Sequence, residues 1–375
     1  MRLKFKNTPE QVELIKAMGS RNPAVASEAS EAFAAFLGPV VREVLYQAAT
    51  TAGIYTDAPF DEDDHPSYPL DLYYNEGDNF IQVWSQNMAG GLPTSHVAGL
   101  EELKISTYRL DSAVSMNKRY ARKARLDVVS KAVERMANEI VVKQDRNGWA
   151  IILKALADAS TDGLKHLVNS TAVASSFNLN DLNNMMRRIG RINASYAGGT
   201  PVEPYSRGIT DLYVSPEVVG DIRAFAYQAI QYGTGTVAAA PGVTDLPDQV
   251  RTDIYNAAGQ QSIYGTNIVE LLELGVSKKY QTLLATFTGS TAYPAIDGSG
   301  TDTVLSTDST IIGIDNGRGA FVRPIARGEG GETFTALPDD QFYAARQDKL
   351  GFYGFLEEGR VCLDARAIVG FNMQK

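Results

Sequence analysis

Cysteine and histidine are scarce in this 375-residue chain, which contains one cysteine, Cys362, and three histidines. A single cysteine excludes an intrachain disulfide and a cysteine-rich zinc site, and it indicates folding in a reducing compartment. The histidines, His65, His96 and His166, have no HExxH or other zinc spacing, so each is expected at the surface. Cys362 lies in the apolar run RVCLDARAIV and is expected to be a small buried side chain.

Motifs of catalysis and nucleotide binding are also missing. The chain has no GxSxG elbow, no GxxxxGK[ST] loop and no GxGxxG after a predicted strand. The stretch DGSGTD at 297–302 resembles part of a calcium loop but lacks the required glutamate, so a turn is expected. No apolar run approaches the length of a membrane-spanning helix, and no signal peptide is predicted. These absences favour a protein that is not an enzyme and has no cofactor, metal or membrane partner.

One acidic loop raises the alternative of a metal site. Residues 56–79 contain three prolines and the run Asp61, Glu62, Asp63, Asp64, His65. Carboxylates beside an imidazole are metal ligands, and they would suit a metal-dependent hydrolase. Consecutive acids in an extended chain point to alternating sides, however, so a solvated acidic loop is favoured.

Charge is unevenly distributed along the chain. The formal net charge is −9, the pI is about 5.0, and the hydrophobic content is 44%. This composition indicates a folded protein that is not a dedicated reader of duplex DNA. The stretch MNKRYARKARL at 116–126 nevertheless holds five cations within eight residues: Lys118, Arg119, Arg122, Lys123 and Arg125.

Helical patterns flank an extended region in the first half of the chain. Three short helices are predicted in the first 50 residues, with a break at Gly38-Pro39. Residues 80–117 indicate two strands joined by a long tip, a hairpin-like excursion too polar to hold a core alone. Apolar residues at helical spacing predict one long helix over 122–158, with Gly148 as a weak point.

The second half mixes strands and helices. A helix is predicted at 178–197, capped by Asn178 or Asn180. A strand at Asp211–Val214 is followed by Ser215 as a cap and by a helix that starts at Pro216 and runs to about Tyr232. The stretches QTLLATFTG and STIIGID are predicted to be extended. The chain closes with FYAARQDKLGFYGF and RVCLDARAIVGF as hairpin-paired strands.

The order of these parts resembles the major capsid protein of tailed bacteriophages, the Hong Kong 97 type fold, over nearly the whole chain. The stretch ISTYRLDSAVSMNKRYARKARLDVVSKAVERM resembles the hairpin arm passing into the spine helix. DLYVSPEVV resembles a strand-to-helix step of these proteins, and RVCLDARAIVGF is similar to their last strand. The implied class is α+β, with an N-terminal arm, an extended β-hairpin arm, a peripheral domain with a long spine helix, and an axial domain.

The resemblance implies five parts along the chain. They are the N-terminal arm and acidic loop (1–74), the extended hairpin arm (75–120), the peripheral domain with the spine helix (121–200), the axial domain (201–335) and the C-terminal strands returning to the core (336–375).

The implied function is structural. Copies of the chain would assemble as pentamers and hexamers into an icosahedral head that encloses double-stranded DNA without sequence-specific binding. Scaffolding, portal and decoration proteins are further implied partners, and the location is the virion after assembly in the host cytoplasm. An encapsulin-like shell around protein cargo and a phage tail or baseplate protein are the alternatives. Some family members form a covalent cross-link through an arm lysine; Lys104 stands in the arm here, but no matching asparagine is found.

The cation run has three interpretations in this setting. If the long helix begins near Arg122, cations there oppose its dipole and need negative partners. The run is a solvated face relieved by Asp111 and Asp127, a contact with packaged DNA, or part of an intersubunit ion network. The network is the favoured interpretation. Its acids, from another copy, would be Asp61, Asp63, Asp64, Glu101 and Glu102.

Overall fold

The structure is a computed structural model that describes residues 8–48, 50–61, 65–69, 102–123, 126–161, 163–170, 176–194, 208–224, 262–263, 265–328, 334–338 and 348–374. Its α-helices are α1 (Pro9–Met18), α2 (Pro23–Ala48), α3 (Lys118–Arg122), α4 (Leu126–Asp158), α5 (Leu179–Ala194), α6 (Pro216–Ala224) and α7 (Lys279–Thr288). The mixture of these helices with several sheets confirms the predicted α+β class.

The strands form two large sheets and several two-stranded pairs. Strands of the first half are β1 (Thr56–Asp61), β2 (Ser67–Pro69), β3 (Glu102–Lys104), β4 (Tyr108–Asn117), β5 (Ser160–Thr161), β6 (Leu164–Lys165) and β7 (Leu167–Asn169). Those of the second half are β8 (Asp211–Val214), β9 (Ser262–Ile263), β10 (Thr266–Glu270), β11 (Ala292–Pro294), β12 (Thr301–Thr303), β13 (Ser309–Ile314), β14 (Phe321–Arg327), β15 (Thr335–Pro338), β16 (Lys349–Glu358), β17 (Val361–Cys362) and β18 (Ile368–Met373).

The chain divides into two compact units, each assembled from separate stretches. The first unit comprises Met1–Pro69, Glu102–Trp149 and Phe321–Val361. The second unit comprises Leu70–Glu101, Ala150–Ala320 and Cys362–Lys375.

The first unit packs helices on one sheet. β4 runs antiparallel to β16 along its whole length, β15 lies on the other side of β16, and β1 lies parallel to β14. Phe33 of α2 meets Phe352 of β16 with ring centroids 5.1 Å apart. Val133, Met136 and Ile140 of α4 recur at helical spacing and are buried in the same core. The apolar residues whose spacing predicted the long helix therefore form the face that the helix buries.

The first helix follows its sequence signals, but the second does not. Thr8 caps α1 by accepting the Gln11 N–H at 3.4 Å, Pro9 occupies the first turn, and Gly19 ends the helix. α2 continues through Gly38-Pro39 to Ala48, so the predicted break is wrong. A proline inside a helix costs about 3 kcal/mol, and burial of Ala29, Phe33 and Ala34 on the core offsets a cost of this size.

The extended region before the long helix is divided differently from the prediction. Leu103 lies in β3, which pairs with β2, whereas Tyr108 begins β4, which pairs with β16. The sequence had predicted a single continuous strand that contains both Leu103 and Tyr108. Ile105 is buried between them, so the chain turns inward there. The partner strand predicted around residues 80–85 and the hairpin tip lie outside the described residues.

The second unit is built around a sheet with the order β7-β18-β13-β8-β10-β9. β8 spans Asp211–Val214 as predicted, and Ser215 caps α6 by accepting the Val218 N–H at 3.4 Å. Asn178 directly precedes α5, in agreement with one of the two predicted caps. All six residues of β18 are buried, as expected for a strand covered on both faces.

Two predictions in the second half of the chain are wrong. QTLLATFTG belongs to the helix α7, whose buried Tyr280, Gln281, Leu284 and Thr288 follow a helical period. Its β-branched threonines favoured a strand in isolation, and the tertiary packing decided otherwise. The closing strands do not form a hairpin, because β16 pairs with β4 and β15 while β18 pairs with β13 and β7.

Candidate subunit-interface site

Most of the predicted cation run lies on the short helix α3 and the turn after it. Asn117 caps α3, and its Oδ1 accepts the Arg119 N–H at 2.9 Å. Lys118 is half-buried, whereas Arg119, Arg122 and Lys123 are exposed. Arg125 lies outside the described residues.

Arg122 is bound within its own chain. Its Nε donates to the carbonyl oxygen of Gly19 at 3.0 Å, at the C-terminal end of α1, and its guanidinium lies 3.3 Å from the Asp348 carboxylate. A Cβ at position 19 would meet the Arg122 backbone nitrogen at 2.8 Å, so the glycine permits this approach. Arg122 therefore fastens α1 to α3, although its side chain stays partly exposed.

The remaining described cations form what we name the basic corner: Lys118, Arg119 and Lys123. No ion pair joins any of them to another residue in the described part of the chain. The idea that they sit in the first turn of the long helix is wrong, because α4 begins at Leu126 and the corner precedes it. Lys118 and Arg119 instead stand in the first turn of α3, which contains no acidic residue.

The acids predicted to pair with the run are only partly described. Asp61 is exposed at the end of β1, where its register partner across the parallel pair is Arg327. Asp63, Asp64 and Glu101 lie outside the described residues. Glu102 begins β3, opposite Pro69. Which acids meet the basic corner therefore stays a prediction at this point.

The metal-hydrolase alternative gains no support from the described residues. His65 is exposed, and positions 62–64 lie outside the described part of the chain. Within the described residues, no group of three histidine, cysteine or acidic side chains is arranged to hold a metal ion. The helices of that same part contain no segment long and apolar enough to cross a membrane.

Cys362 agrees in part with its predicted environment, whereas His166 differs from it. Cys362 is half-buried as a residue, and burial raises the pKa of its thiol to about 12, which keeps it protonated near neutral pH. His166, expected at the surface, is fully buried, with Nδ1 3.0 Å from the carbonyl oxygen of Ile368. His96 lies outside the described residues.

Burial lowers the pKa of His166 from its usual value of 6.5. The hydrogen bonds to the backbone of Ile368 and Ala365 oppose this shift without cancelling it; the nearby Arg188 then lowers the pKa, and Asp364 raises it slightly. The unfolded chain thus binds a proton at a higher pH than the folded chain does. In the window below 6.5 the unfolded state holds more protons, so stability rises with pH and is lost as the pH falls.

We therefore expect the melting temperature of the second unit to be lower at pH 5.5 than at pH 7.5. The variant His166→Gln, which removes the titrating group, should lose less of its melting temperature over the same interval. Differential scanning calorimetry at both pH values measures the two slopes. Equal slopes for the two proteins would show that His166 does not contribute to the pH dependence.

The first unit contains a buried charge cluster that was not predicted from the sequence. Glu358 is fully buried; its carboxylate accepts from the Tyr108 hydroxyl at 2.8 Å and the Gln144 amide at 2.9 Å. Arg360 Nε lies 3.3 Å from the same carboxylate, and NH1 donates to Thr51 at 3.3 Å. Burial, followed by the charge of Glu358, raises the pKa of Tyr108 well above its usual value. The cluster joins β4, β16 and α4 through charge-assisted hydrogen bonds.

A second buried pair stands next to the last strand. The Arg366 guanidinium binds the Asp364 carboxylate at 2.8 and 3.0 Å, and Arg318 reaches it at 3.0 Å. Burial alone would raise the pKa of Asp364, but the hydrogen bonds and charge of Arg366, joined by Arg318, outweigh it and lower the pKa. The motif DAR within RVCLDARAIV was the visible signal, since an acid and an arginine two positions apart interrupt an apolar run.

Several solved structures similar to this chain are phage capsids, and one is an encapsulin. The capsid of cyanophage Pam1 is 11% identical, with 89% of this chain and 93% of that chain covered and a TM-score of 0.49. The capsid of cyanophage P-SCSP1u is 13% identical, with 87% and 88% covered and a TM-score of 0.47. The SrpI encapsulin complex of Synechococcus elongatus is 10% identical, with 85% of each chain covered and a TM-score of 0.43. No protein-family profile and no curated protein matches the chain.

Several large apolar side chains are exposed in the described residues. Leu272 and Leu305 of the second unit are 75% and 52% exposed, and Phe36 of α2 is 42% exposed. Single exposed apolar residues are ordinary, but those that share a face with unpaired charges mark a contact surface.

Proposed function

We propose that this chain is the repeating subunit of an icosahedral phage head. Copies associate as pentamers and hexamers into a closed shell around double-stranded DNA, and the chain is not an enzyme. Scaffolding, portal and decoration proteins are its further partners in this proposal. The shell assembles in the host cytoplasm and remains in the virion. The five parts predicted from the sequence keep their roles as arm, hairpin, peripheral domain, axial domain and closing strands.

One observation carries the proposal: a long strand passes almost directly into a long helix. β4 extends over ten residues and α4 over 33, with only α3 and residues 123–125 between them. This is the stretch whose sequence resembles the hairpin arm and spine helix of phage capsid proteins. At a rise of about 1.5 Å per residue the helix is roughly 50 Å long, more than a small domain core requires.

The described arm also favours a partner. The ribbon of β2 and β3 contains three residues in each strand. A two-stranded ribbon of this size is marginally stable alone in water, so cover by another surface stabilises it. The acidic balance of the chain, with a net charge of −9, disfavours non-specific adhesion to the enclosed DNA.

The proposal is tested by imaging the purified full-length chain, alone and with a scaffolding partner, in negative stain and by sedimentation. Closed shells of uniform diameter are the expected result. A monomer at every concentration and with every partner would contradict the proposal, and helical tubes would identify a tail protein. Analysis of particles from the organism that makes the chain then separates the two kinds of shell, since double-stranded DNA indicates a head and protein cargo indicates an encapsulin-like compartment.

A further inference from the structure

The first half of α2 exposes apolar side chains. Its inward side buries Ala29, Phe33 and Ala34 in the core of the first unit. Outside this buried stripe, Val25 is 41% exposed, and Phe36, at the edge of the stripe with its ring 6.5 Å from that of Phe33, is 42% exposed. The residues between them include further exposed alanines. A helix that is apolar on both sides is typical of one that is covered on both sides.

Two acids lie on this outward side of α2. Glu28 and Glu31 are exposed, one helical turn apart, and lie between Val25 and Phe36. Neither forms an ion pair with a residue in the described part of the chain. The outward side of α2, defined here as Val25, Glu28, Glu31 and Phe36, is thus an apolar surface carrying two negative charges that the single chain leaves uncompensated.

The basic corner has the complementary composition. Lys118, Arg119 and Lys123 lie within three positions of Tyr120 in the chain, and Tyr120 is 44% exposed. Because Arg122 is already bound to Gly19 and Asp348, the corner combines three cations and one exposed aromatic residue on a short stretch of chain. Tyrosine and arginine are enriched at the centres of protein interfaces, where an aromatic ring excludes water from the charges beside it.

We propose that the basic corner of one copy docks on the outward side of α2 of a second copy. Arg119 and Lys123 would pair with Glu28 and Glu31, and Tyr120 would cover the apolar surface at Val25. The inference rests on the proposed function, since it names the surfaces through which the chain meets itself. Two different patches make a heterologous contact, which closes into rings or continues from copy to copy, as a shell requires.

Charge reversal with rescue tests the contact in the full-length chain. Two double variants are made: Glu28→Lys with Glu31→Lys on α2, and Arg119→Glu with Lys123→Glu on the basic corner. Each should reduce the assembled fraction about tenfold, because the reversal replaces two attractions by two repulsions. Combining all four substitutions in one chain restores opposite charges across every such contact and should recover assembly. Sedimentation and negative stain measure the assembled fraction, and circular dichroism with thermal melting shows that each variant is folded.

The matched control is Arg119→Lys with Lys123→Arg, which keeps the charge and should assemble like the unmodified chain. If a reversed variant is misfolded, Glu28→Gln with Glu31→Gln removes the charge with less disturbance and should weaken assembly in the same direction. Normal assembly of the folded reversed variants would overturn this contact and leave the proposed function standing. Assembly of the reversed corner variant could instead be restored by adding Asp61→Lys, and not by adding Glu28→Lys with Glu31→Lys. That result would also overturn the proposed contact and assign the basic corner to the acidic loop. Failure of the unmodified chain to assemble under all conditions would overturn the proposed function and this contact together.

Discussion

Replacing Arg360 with alanine is expected to lower the free energy of unfolding of the first unit by about 3–5 kcal/mol, because it leaves a buried carboxylate without its cation. Glu358 is fully buried, and its other partners, Tyr108 and Gln144, are neutral donors. The Arg360 side chain also lies over the Tyr55 ring, 4.7 Å from its centroid, so packing is lost together with charge. Urea denaturation followed by the fluorescence of the buried Trp149 measures the change.

The matched control is Arg109→Ala on the same sheet. Arg109 also pairs with an acid, Asp111 at 2.7 Å, but both side chains are about half exposed. Its removal should therefore destabilise the first unit far less than removal of the buried Arg360 does. Replacing both members of the buried pair, with Glu358→Gln and Arg360→Met, should recover a large part of the loss, since no buried charge is then left alone. Equal effects of Arg360→Ala and Arg109→Ala would contradict this account of the cluster.

Local signals in the sequence were reliable where the determining contacts are close along the chain. Thr8 before Pro9, and Ser215 before Pro216, place a hydroxyl where it accepts the first free N–H groups of a helix. β8 was predicted with its observed bounds, Asp211–Val214. These features need only neighbours within one turn, so they are visible in a single sequence.

Predictions failed where contacts distant in sequence decide the outcome. Pro39 stands inside α2 because that helix is held by the core of the first unit, which a local pattern does not reveal. The two closing strands were predicted to pair as a hairpin, yet β18 takes its partners from β13 and β7. The partners of a strand depend on which of its surfaces are buried, and both faces of β18 are buried.

The candidate site shows the same difference between local signals and contacts distant in sequence. Spacing alone located the cation run, and it could not show that Arg122 is bound to Gly19, a residue 103 positions away. Gly148, predicted as a weak point of the long helix, instead allows close approach of Arg360. A Cβ there would lie 2.5 Å from its NH1. Charges separated widely in sequence meet only in the folded chain, so neither the buried charge cluster nor the free basic corner was distinguishable beforehand.

Replacing Asn372 with alanine is expected to destabilise the second unit by about 3 kcal/mol, because it breaks several buried hydrogen bonds at once. The Asn372 amide donates to Asn169 at 3.0 Å and to Asp308 at 2.9 Å. Its carbonyl accepts from Thr310 at 2.9 Å and from Gln281 at 3.3 Å. The deletion would leave these groups in a site that excludes water, since Asn372 itself is fully buried.

Hydrogen exchange locates the effect of Asn372→Ala as well as its size. Asn372 lies in β18, whose backbone is paired with β13 opposite Thr310, so amides of both strands should exchange faster in the variant. The control Asn267→Ala removes an exposed amide with one long hydrogen bond, to Asp211 at 3.3 Å, and should change stability by less than about 0.5 kcal/mol. If protection of β13 and β18 were unchanged while global stability fell, the loss would lie elsewhere in the unit. The polar side chains around Asn372 would then not be what holds the closing strand in register.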